Sequence, residues 1–317
     1  MPLAVWILLG VLIFALISLI GMIAATWHIG KGVYESILVR QTPEKWGREC
    51  SAPDVPEHKK MFDEGVEWGK KHVGAMKEVS ITSVDGLKLA GQYFDFGSKR
   101  CALIIPGRSE SLLYSYYFAK PYHEAGCNIL VIDVRAHGMS EGKYNTVGTM
   151  ESHDIAEWCK AAVSYGNEEV IVHGICVGGA STVAAGARGE LPKEVAAFVT
   201  EGLYTSFPES FKQHMITDKR PVFPVLYEVM FNLWRNTGAN PWKETPGKVI
   251  DRFTVPTLFL HGREDKFSIP PTAEYLFAKC GAEKKKLVWF EKGSHSHLRI
   301  NAPEKYDEAI KAFLKEI

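Results

Sequence analysis

The chain has 317 residues and carries 37 basic and 37 acidic side chains, so its formal net charge at pH 7 is zero. Hydrophobic residues make up 46% of it, which is ordinary for a globular protein. A chain without an excess of basic residues lacks the electrostatic surface that nucleic acid binding needs, so nucleic acid is excluded as a predicted partner. The length suits one large α/β domain or two small ones.

The N-terminal segment departs from the globular pattern. No charged side chain occurs between Pro2 and Trp27, and nearly every residue there is apolar. About 20 such residues cross a bilayer as a helix, whereas a cleaved signal peptide would carry Lys or Arg before a shorter apolar run. We therefore predict a single transmembrane anchor over residues 1–27. The positive-inside rule places the rest of the chain on the cytoplasmic face, because basic residues follow the segment at Lys31, Arg40, Lys45 and Arg48.

Residues 28–76 predict a polar, mostly helical connector that Pro53 and Pro56 interrupt. The stretch from Glu57 to Met76 mixes apolar and charged residues as an amphipathic helix does. Its apolar face can pack on the rest of the protein or lie on a membrane surface, and we expect packing.

Residues 77–317 predict one domain. Glu78–Thr82 alternates in polarity, Asp85-Gly86 marks a hairpin turn, and Lys88–Phe96 forms the returning strand. Buried strands separated by helices then indicate an α/β fold with a mostly parallel central sheet covered on both faces. The further strands are Cys101–Ile105, Asn128–Val134, Val170–Ile175, Val195–Thr200, Thr257–His261 and Lys286–Phe290, and the helices are Leu112–Ala125, Glu151–Tyr165, Gly178–Arg188, Thr272–Cys280 and Glu304–Ile317.

The alternation of strands and helices stops between residues 203 and 253, where aromatic residues and prolines are frequent. A structureless loop of this length is unusual in a compact domain. We predict a small inserted helical cap, which would give a site apolar walls and exclude water. An ordinary packing subdomain is the alternative.

Six cysteines are present, and their spacing forms neither a C-x-x-C pair nor a zinc-type His/Cys set. Cys101, Cys127 and Cys159 fall in or beside predicted strands and helices, where we expect single buried thiols. This usage favours a reducing compartment. The sequence predicts no metal and no organic cofactor.

Cys176 is the exception among the cysteines. It stands between the strand ending at Ile175 and the predicted helix from Gly178, in the run His173-Gly174-Ile175-Cys176-Val177-Gly178-Gly179. That G-x-C-x-G-G run matches the nucleophile elbow, a sharp strand-to-helix turn with small neighbours, except that a thiol replaces the usual serine. Cys176 is therefore the candidate nucleophile.

Other strands of the predicted sheet also end in polar loops. Pro106–Glu110 follows one strand, and Asp265 and His295 follow the last two. Because the carboxyl ends of parallel strands meet at one edge of a sheet, these loops should converge. The chain order of nucleophile, acid and histidine is the one that α/β-hydrolases use.

In combination, these motifs resemble the α/β-hydrolase superfamily, and in particular membrane-anchored bacterial members of the monoacylglycerol lipase and serine aminopeptidase type. The resemblance covers roughly Met76 to Ile317. It implies the α/β-hydrolase fold, with Cys176 as nucleophile, Asp265 as acid and His295 as base. The matching segments are Ser83–Leu89, Asp133–Gly142, the elbow, His261–Pro270 and the run Lys292-Gly293-Ser294-His295.

The same resemblance implies an oxyanion hole made by the backbone N–H groups of Arg108 and Val177. His297 is the rival of His295 for the role of base. The Arg108 side chain could meet an anionic substrate group or pair with Glu110. We expect structural roles for His137 and His173.

Three functions fit a thiol at the elbow. The first is hydrolysis of ester, thioester or amide bonds in a hydrophobic, small-molecule or lipid-like acyl substrate, through a covalent acyl-enzyme. The second is acyl transfer to an amine or thiol, since the elbow also resembles those of polyhydroxyalkanoate synthases and bile-acid amidating enzymes. The third is a weakly active or inactive relative of a serine hydrolase.

Overall fold

The computed structural model describes residues 2–49 and 55–317. Its centre is an eight-stranded sheet of order β1-β2-β4-β3-β5-β6-β7-β8. β2 pairs antiparallel with β1 and with β4, and the pairs from β4–β3 to β7–β8 are parallel. The predicted mostly parallel sheet is confirmed. The strands are β1 (Met76–Thr82), β2 (Lys88–Phe94), β3 (Arg100–Ile105), β4 (Asn128–Ile132), β5 (Glu169–Ile175), β6 (Val195–Glu201), β7 (Thr257–Gly262) and β8 (Lys285–Phe290).

Helices cover both faces of this sheet, as the alternating pattern predicts. Short 3-10 turns accompany them at Val73–Ala75, Tyr116–Phe118 and Ile250–Arg252. The α-helices are α1 (Leu3–Leu38), α2 (Pro56–Lys71), α3 (Leu112–Ser115), α4 (Ala119–Glu124), α5 (Glu151–Ser164), α6 (Val177–Ala187), α7 (Phe207–Thr217), α8 (Val225–Thr237), α9 (Pro246–Val249), α10 (Pro270–Lys279), α11 (Leu298–Asn301) and α12 (Pro303–Leu314).

The two faces of the sheet form two separate cores. Along β3, Leu103 and Ile105 pack into one core while Ala102 and Ile104 pack into the other, because successive side chains of a strand point to opposite faces. The predicted single thiols belong to these cores, since they are buried and free: Cys101, Cys127 and Cys159.

One predicted helix is divided in the structure. The stretch Leu112–Ala125 contains α3, a 3-10 turn and α4 instead of a single helix. Pro121 lies in the first turn of α4, where its missing N–H costs no intrahelical hydrogen bond. In the interior of one continuous helix the same proline would remove such a bond, so the division suits the sequence.

Helix α1 is longer than the predicted anchor. It continues past Trp27 to Leu38, so the first part of the predicted connector belongs to the same helix. Side chains from Leu3 to Ile23 are exposed, whereas Tyr34 and Leu38 are buried against the rest of the protein. Within residues 2–49 and 55–317, α1 is the one helix long and apolar enough to cross a membrane.

The rest of the predicted connector packs on the domain. α2 begins at Pro56, buries Met61, and places Trp68 against Phe94 at a ring distance of 5.1 Å. The expected packing of this amphipathic helix is therefore confirmed. Pro53 lies outside the described residues.

Candidate active site

The elbow at Cys176 has the predicted form. β5 ends at Ile175, α6 begins at Val177, and Cys176 between them has φ 52° and ψ −110°. Such angles are strained for a residue with a side chain and are typical of functional turns. A Cβ at Gly174 would lie 2.6 Å from the backbone nitrogen of Gly179, so the helix packs against the strand because Gly174 has no side chain. The thiol itself is only partly buried.

Asp265 is held in one orientation by three hydrogen bonds. Its Oδ1 accepts the backbone N–H groups of Phe267 at 2.8 Å and Ser268 at 2.9 Å. Its Oδ2 lies 2.8 Å from Nδ1 of His295. Cys176 lines the same cleft as His295 and lies close enough to it to raise the pKa of the imidazole. The structure thus brings the predicted nucleophile, base and acid into one site.

The charges in this site stabilise one another. Burial lowers the pKa of His295, but the negative charges of Asp265 and Cys176 outweigh it and raise that pKa well above its usual range. Burial alone would raise the pKa of Asp265, but the positive charge of His295 outweighs this effect and lowers that pKa. A charged imidazole beside a thiol is the arrangement that favours a thiolate nucleophile.

The alternative histidines lie in other surroundings. His297 directs Nδ1 toward the backbone oxygen of His295 at 2.7 Å and does not reach Asp265. His137 stacks on Trp46 with ring centres 4.5 Å apart, and burial lowers its pKa to about 4. His173 is buried, and burial lowers its pKa to about 3. Neutral, buried rings fit the structural roles expected of the last two.

The backbone N–H of Arg108 lies between two backbone N–H groups that each donate a hydrogen bond within the protein. Gly107 donates to a Glu110 carboxylate oxygen at 2.9 Å, and Ser109 donates to Nε2 of His137 at 3.1 Å. Among the residues that the structure describes, neither Arg108 N–H nor the N–H of Val177 has a protein acceptor. Val177 opens α6, where the first N–H groups have no intrahelical partner. Both groups can therefore donate to a ligand.

Glu201 is a buried acid that sequence reasoning missed. It ends β6, and its carboxylate accepts the Leu298 N–H at 3.1 Å and the Tyr306 hydroxyl at 2.6 Å. Burial raises its pKa to about 7, although both hydrogen bonds oppose the shift. These contacts fix the start of α11, just after the loop that carries His295. The sequence feature that could have identified Glu201 is its position directly after a predicted strand.

Gly202 was also missed, and it makes room for the imidazole of His295. It has φ +64°, and a Cβ at this position would lie 2.7 Å from Cε1 of His295. A side chain here would therefore displace the ring from the thiol and from Asp265.

We expect Gly202→Ala to lower kcat for ester cleavage by about 10²-fold or more, the scale on which a catalytic group displaced by about 1 Å loses activity. Gly189→Ala is the matched control, because Gly189 has φ +72° but no atom within 4 Å of the added Cβ. Both changes carry the backbone strain, about 1 kcal/mol. Only Gly202→Ala should reduce activity at equal folded fraction, as measured by circular dichroism and initial rates. Similar activity losses in both variants would contradict the steric explanation.

A cleft of about 690 Å³ opens in front of Cys176 and His295. Phe207 and Phe211 of α7 line it, so the region between residues 203 and 253 supplies the apolar wall expected of a cap. Tyr204 and Phe267 add further aromatic surface, and Arg108 adds a positive charge. The cleft therefore presents both aromatic and charged surface beside the thiol.

Comparison with known proteins gives distant similarities. No family model matches the chain. The uncharacterized protein YqkD of Bacillus subtilis is 25% identical over 215 residues, covering 67% of this chain and 70% of that protein. A polyketide transferase, GrgF of a Penicillium species, is 31% identical over 131 residues, covering 38% of this chain and 43% of GrgF.

Solved structures resemble the chain over a larger part of its length. An esterase from Pyrococcus furiosus superposes with a TM-score of 0.63 at 22% identity, covering 78% of this chain and 93% of the esterase. The crystal structure of GrgF, described as an alpha/beta hydrolase, superposes with a TM-score of 0.52 at 21% identity, covering 76% of this chain and 98% of GrgF. At such identities the likeness shows the fold alone.

Proposed function

We propose that this chain, which has the α/β-hydrolase fold, cleaves ester, thioester or amide bonds of a hydrophobic acyl substrate through Cys176, His295 and Asp265. The observation that carries the proposal is the 2.8 Å hydrogen bond between the Asp265 carboxylate and the His295 imidazole, with Cys176 lining the same cleft as that imidazole. The aromatic cleft in front of the thiol supports an apolar acyl group.

In the first half of the reaction, the Cys176 thiolate attacks the substrate carbonyl carbon. A carbon–sulfur bond forms, and the carbonyl oxygen takes the negative charge, which the N–H groups of Arg108 and Val177 stabilise. His295 then donates its proton to the leaving group as the bond to that group breaks. The product of this half is a thioester at Cys176.

In the second half, water replaces the leaving group. Neutral His295 takes a proton from water, and the hydroxide attacks the thioester carbonyl. The carbon–sulfur bond breaks, the acid leaves, and the thiolate re-forms beside protonated His295. Asp265 keeps the ring in the tautomer that both halves need.

Acyl transfer is the second candidate, and two observations favour it. The cleft around the thiol has several aromatic walls, which reduce the access of water. GrgF, a polyketide transferase, shares 31% identity over 131 residues. In this case an amine or thiol acceptor would attack the same thioester in place of water.

The test is mass spectrometry of the full chain, in detergent, after exposure to a panel of activated esters. We expect the peptide containing Cys176 to gain the mass of the acyl group and to lose it in buffer as free acid is released. An adduct that persists until an amine or thiol is added would establish transfer instead. Absence of an adduct at Cys176 with every ester would contradict both reactions.

We also propose that α1 anchors the protein in a membrane, with the catalytic domain on the cytoplasmic face. The exposed apolar side chains from Leu3 to Ile23 support the anchor, and basic residues after them support the orientation. Resistance to extraction by alkaline carbonate tests the anchor. Protease protection in sealed right-side-out and inverted vesicles tests the orientation, and digestion of the domain in right-side-out vesicles would contradict it.

A further inference from the structure

The guanidinium of Arg108 belongs to the wall of the cleft in front of Cys176. Its Nη1 donates to the backbone oxygen of Ile37 at 3.1 Å and to the Ser109 hydroxyl at 3.3 Å. Within residues 2–49 and 55–317, it forms no ion pair with a carboxylate. A partly buried guanidinium without a carboxylate is costly, since it gives up hydration without a compensating charge.

The nearest candidate acid is already engaged elsewhere. Glu110 uses one carboxylate oxygen for the Gly107 N–H at 2.9 Å, and the other lies 3.2 Å from Nε2 of His58 on α2. The sequence left two partners open for the Arg108 side chain, an anionic substrate group or Glu110. The structure does not show the pairing with Glu110. Lys266 also lines the cleft, and so do the carboxylates of Glu110 and Glu264, of which Glu264 accepts the Gly293 N–H at 3.3 Å.

We propose that Arg108 binds a carboxylate on the substrate near the carbonyl that Cys176 attacks, while the aromatic walls of the same cleft contact the apolar part of the acyl group. A guanidinium has the planar donor pair that matches a carboxylate. Half-esters and half-thioesters of short dicarboxylic acids have the required chemistry. That these compounds react at Cys176 rests on the proposed function, whereas their binding at Arg108 does not.

The binding test compares two alkylating reagents of nearly equal size, iodoacetate and iodoacetamide, which differ in charge. The full chain is alkylated, and mass spectrometry of the peptide that contains Cys176 gives the rate for each reagent. Because both reagents react with the thiolate, the ratio of the two rates does not depend on the fraction of Cys176 that is ionised. We expect the iodoacetate-to-iodoacetamide ratio to exceed that of glutathione by about tenfold, because a nearby cation attracts the anion.

Substitution tests which cation is responsible. Arg108→Gln should lower the ratio severalfold and leave the part that His295 and Lys266 contribute, and Arg108→Lys should keep more of the preference than Arg108→Gln. Arg252→Gln is the control, since Arg252 is an exposed arginine in the 3-10 turn that precedes β7. A wild-type ratio equal to that of glutathione overturns the proposal even if Arg108→Gln fails to fold. An equal ratio in wild type and Arg108→Gln overturns it as well.

Steady-state kinetics with a charged and an uncharged ester provide a second test of the carboxylate site. The ratio of kcat/KM for mono-p-nitrophenyl glutarate to that for p-nitrophenyl hexanoate should fall about tenfold or more in Arg108→Gln. If no ester is cleaved but the alkylation preference is present, the proposed function fails while the carboxylate site stands. If both esters are cleaved but neither ratio depends on Arg108, the carboxylate site fails alone.

A second surface carries an independent inference, the face of α8 beside α1. Thr26 donates to a carboxylate oxygen of Glu228 at 2.7 Å, and the Trp27 ring lies 5.9 Å from that of Phe231. Around this contact, large aromatic side chains of the cap are exposed. They form the aromatic patch: Phe223, Tyr227, Phe231, Trp234 and Trp242.

We infer that the interface of a lipid bilayer covers the aromatic patch. The patch adjoins α1 at Trp27, shortly after the continuous exposed apolar run from Leu3 to Ile23. Large exposed apolar patches mark interaction surfaces, and Trp and Tyr concentrate at the level of the lipid headgroups. With α1 in the membrane, the cap therefore rests on the bilayer surface.

Quenching by lipids spin-labelled near the headgroup tests this placement with the full chain in liposomes. We expect the double variant Trp234→Phe with Trp242→Phe to lose part of the quenchable tryptophan emission. Trp289→Phe is the control, because Trp289 lies on β8 under the side chain of Arg263. Equal quenched emission in wild type and in the double variant would place the patch in water and overturn the inference. No quenching in any variant would overturn the anchor and the patch together.

Discussion

Replacing Cys176 with alanine is expected to abolish ester cleavage, with kcat falling by about 10⁴-fold or more. Without the sulfur no acyl-enzyme can form, and only binding and the oxyanion donors remain to accelerate hydrolysis. The measurement is release of p-nitrophenol from short-chain esters by the full chain in detergent. Cys280→Ser is the control, because Cys280 is a buried free thiol that lines no part of the cleft. Retention of wild-type activity by Cys176→Ala would exclude the thiol as nucleophile.

Cys176→Ser distinguishes a working thiol from a residue that has replaced a serine. We expect serine to lower kcat, since a hydroxyl is far less acidic than a thiol and is a weaker nucleophile at neutral pH. A sharp gain of activity in Cys176→Ser would instead show that the remaining site is built for serine. The same p-nitrophenyl esters and the same folded-fraction measurement apply.

Replacing Asp265 with asparagine is expected to lower kcat by about 10⁴-fold, the effect of losing the carboxylate that orients a catalytic histidine. The backbone N–H groups of Phe267 and Ser268 hold this side chain in place, so the change removes charge more than geometry. Glu264→Gln is the comparison, because the Glu264 carboxylate accepts from the Gly293 N–H at 3.3 Å and does not touch His295. Equal losses in the two variants would contradict the choice of Asp265 as the acid.

The pH profile gives Asp265→Asn a second signature. Asp265 is a principal cause of the raised pKa of His295, so removing its charge lowers that pKa. His295 must be protonated to release the leaving group, and it loses its proton as the pH rises through its pKa. The alkaline limb of kcat/KM should therefore move to lower pH in Asp265→Asn. A limb that stays in place would mean that another group controls it.

Much of the fold could be predicted from the sequence because the signals are local. Buried strands are continuous apolar runs, and each predicted strand from Cys101 onward overlaps an observed one. The elbow was equally visible, since a strand, a small-residue turn and a helix follow one another within a few residues of Cys176. Helix α1 shows the limit of this reasoning. Its composition changes after Trp27, but the helix continues to Leu38 because Tyr34 and Leu38 pack against the rest of the protein.

By itself, the sequence determined the sheet, the apolar N-terminal helix, the elbow at Cys176 and the loops that carry the acid and the histidine, because each lies in a recognisable local pattern. The tertiary structure alone decided which histidine meets Asp265, and that Gly202 gives the ring its space. It also decided that Arg108 has no carboxylate partner among the described residues, since Glu110 is engaged by His58 on a distant helix. Such outcomes depend on contacts between residues far apart in the chain, which form only when the strands and helices pack together.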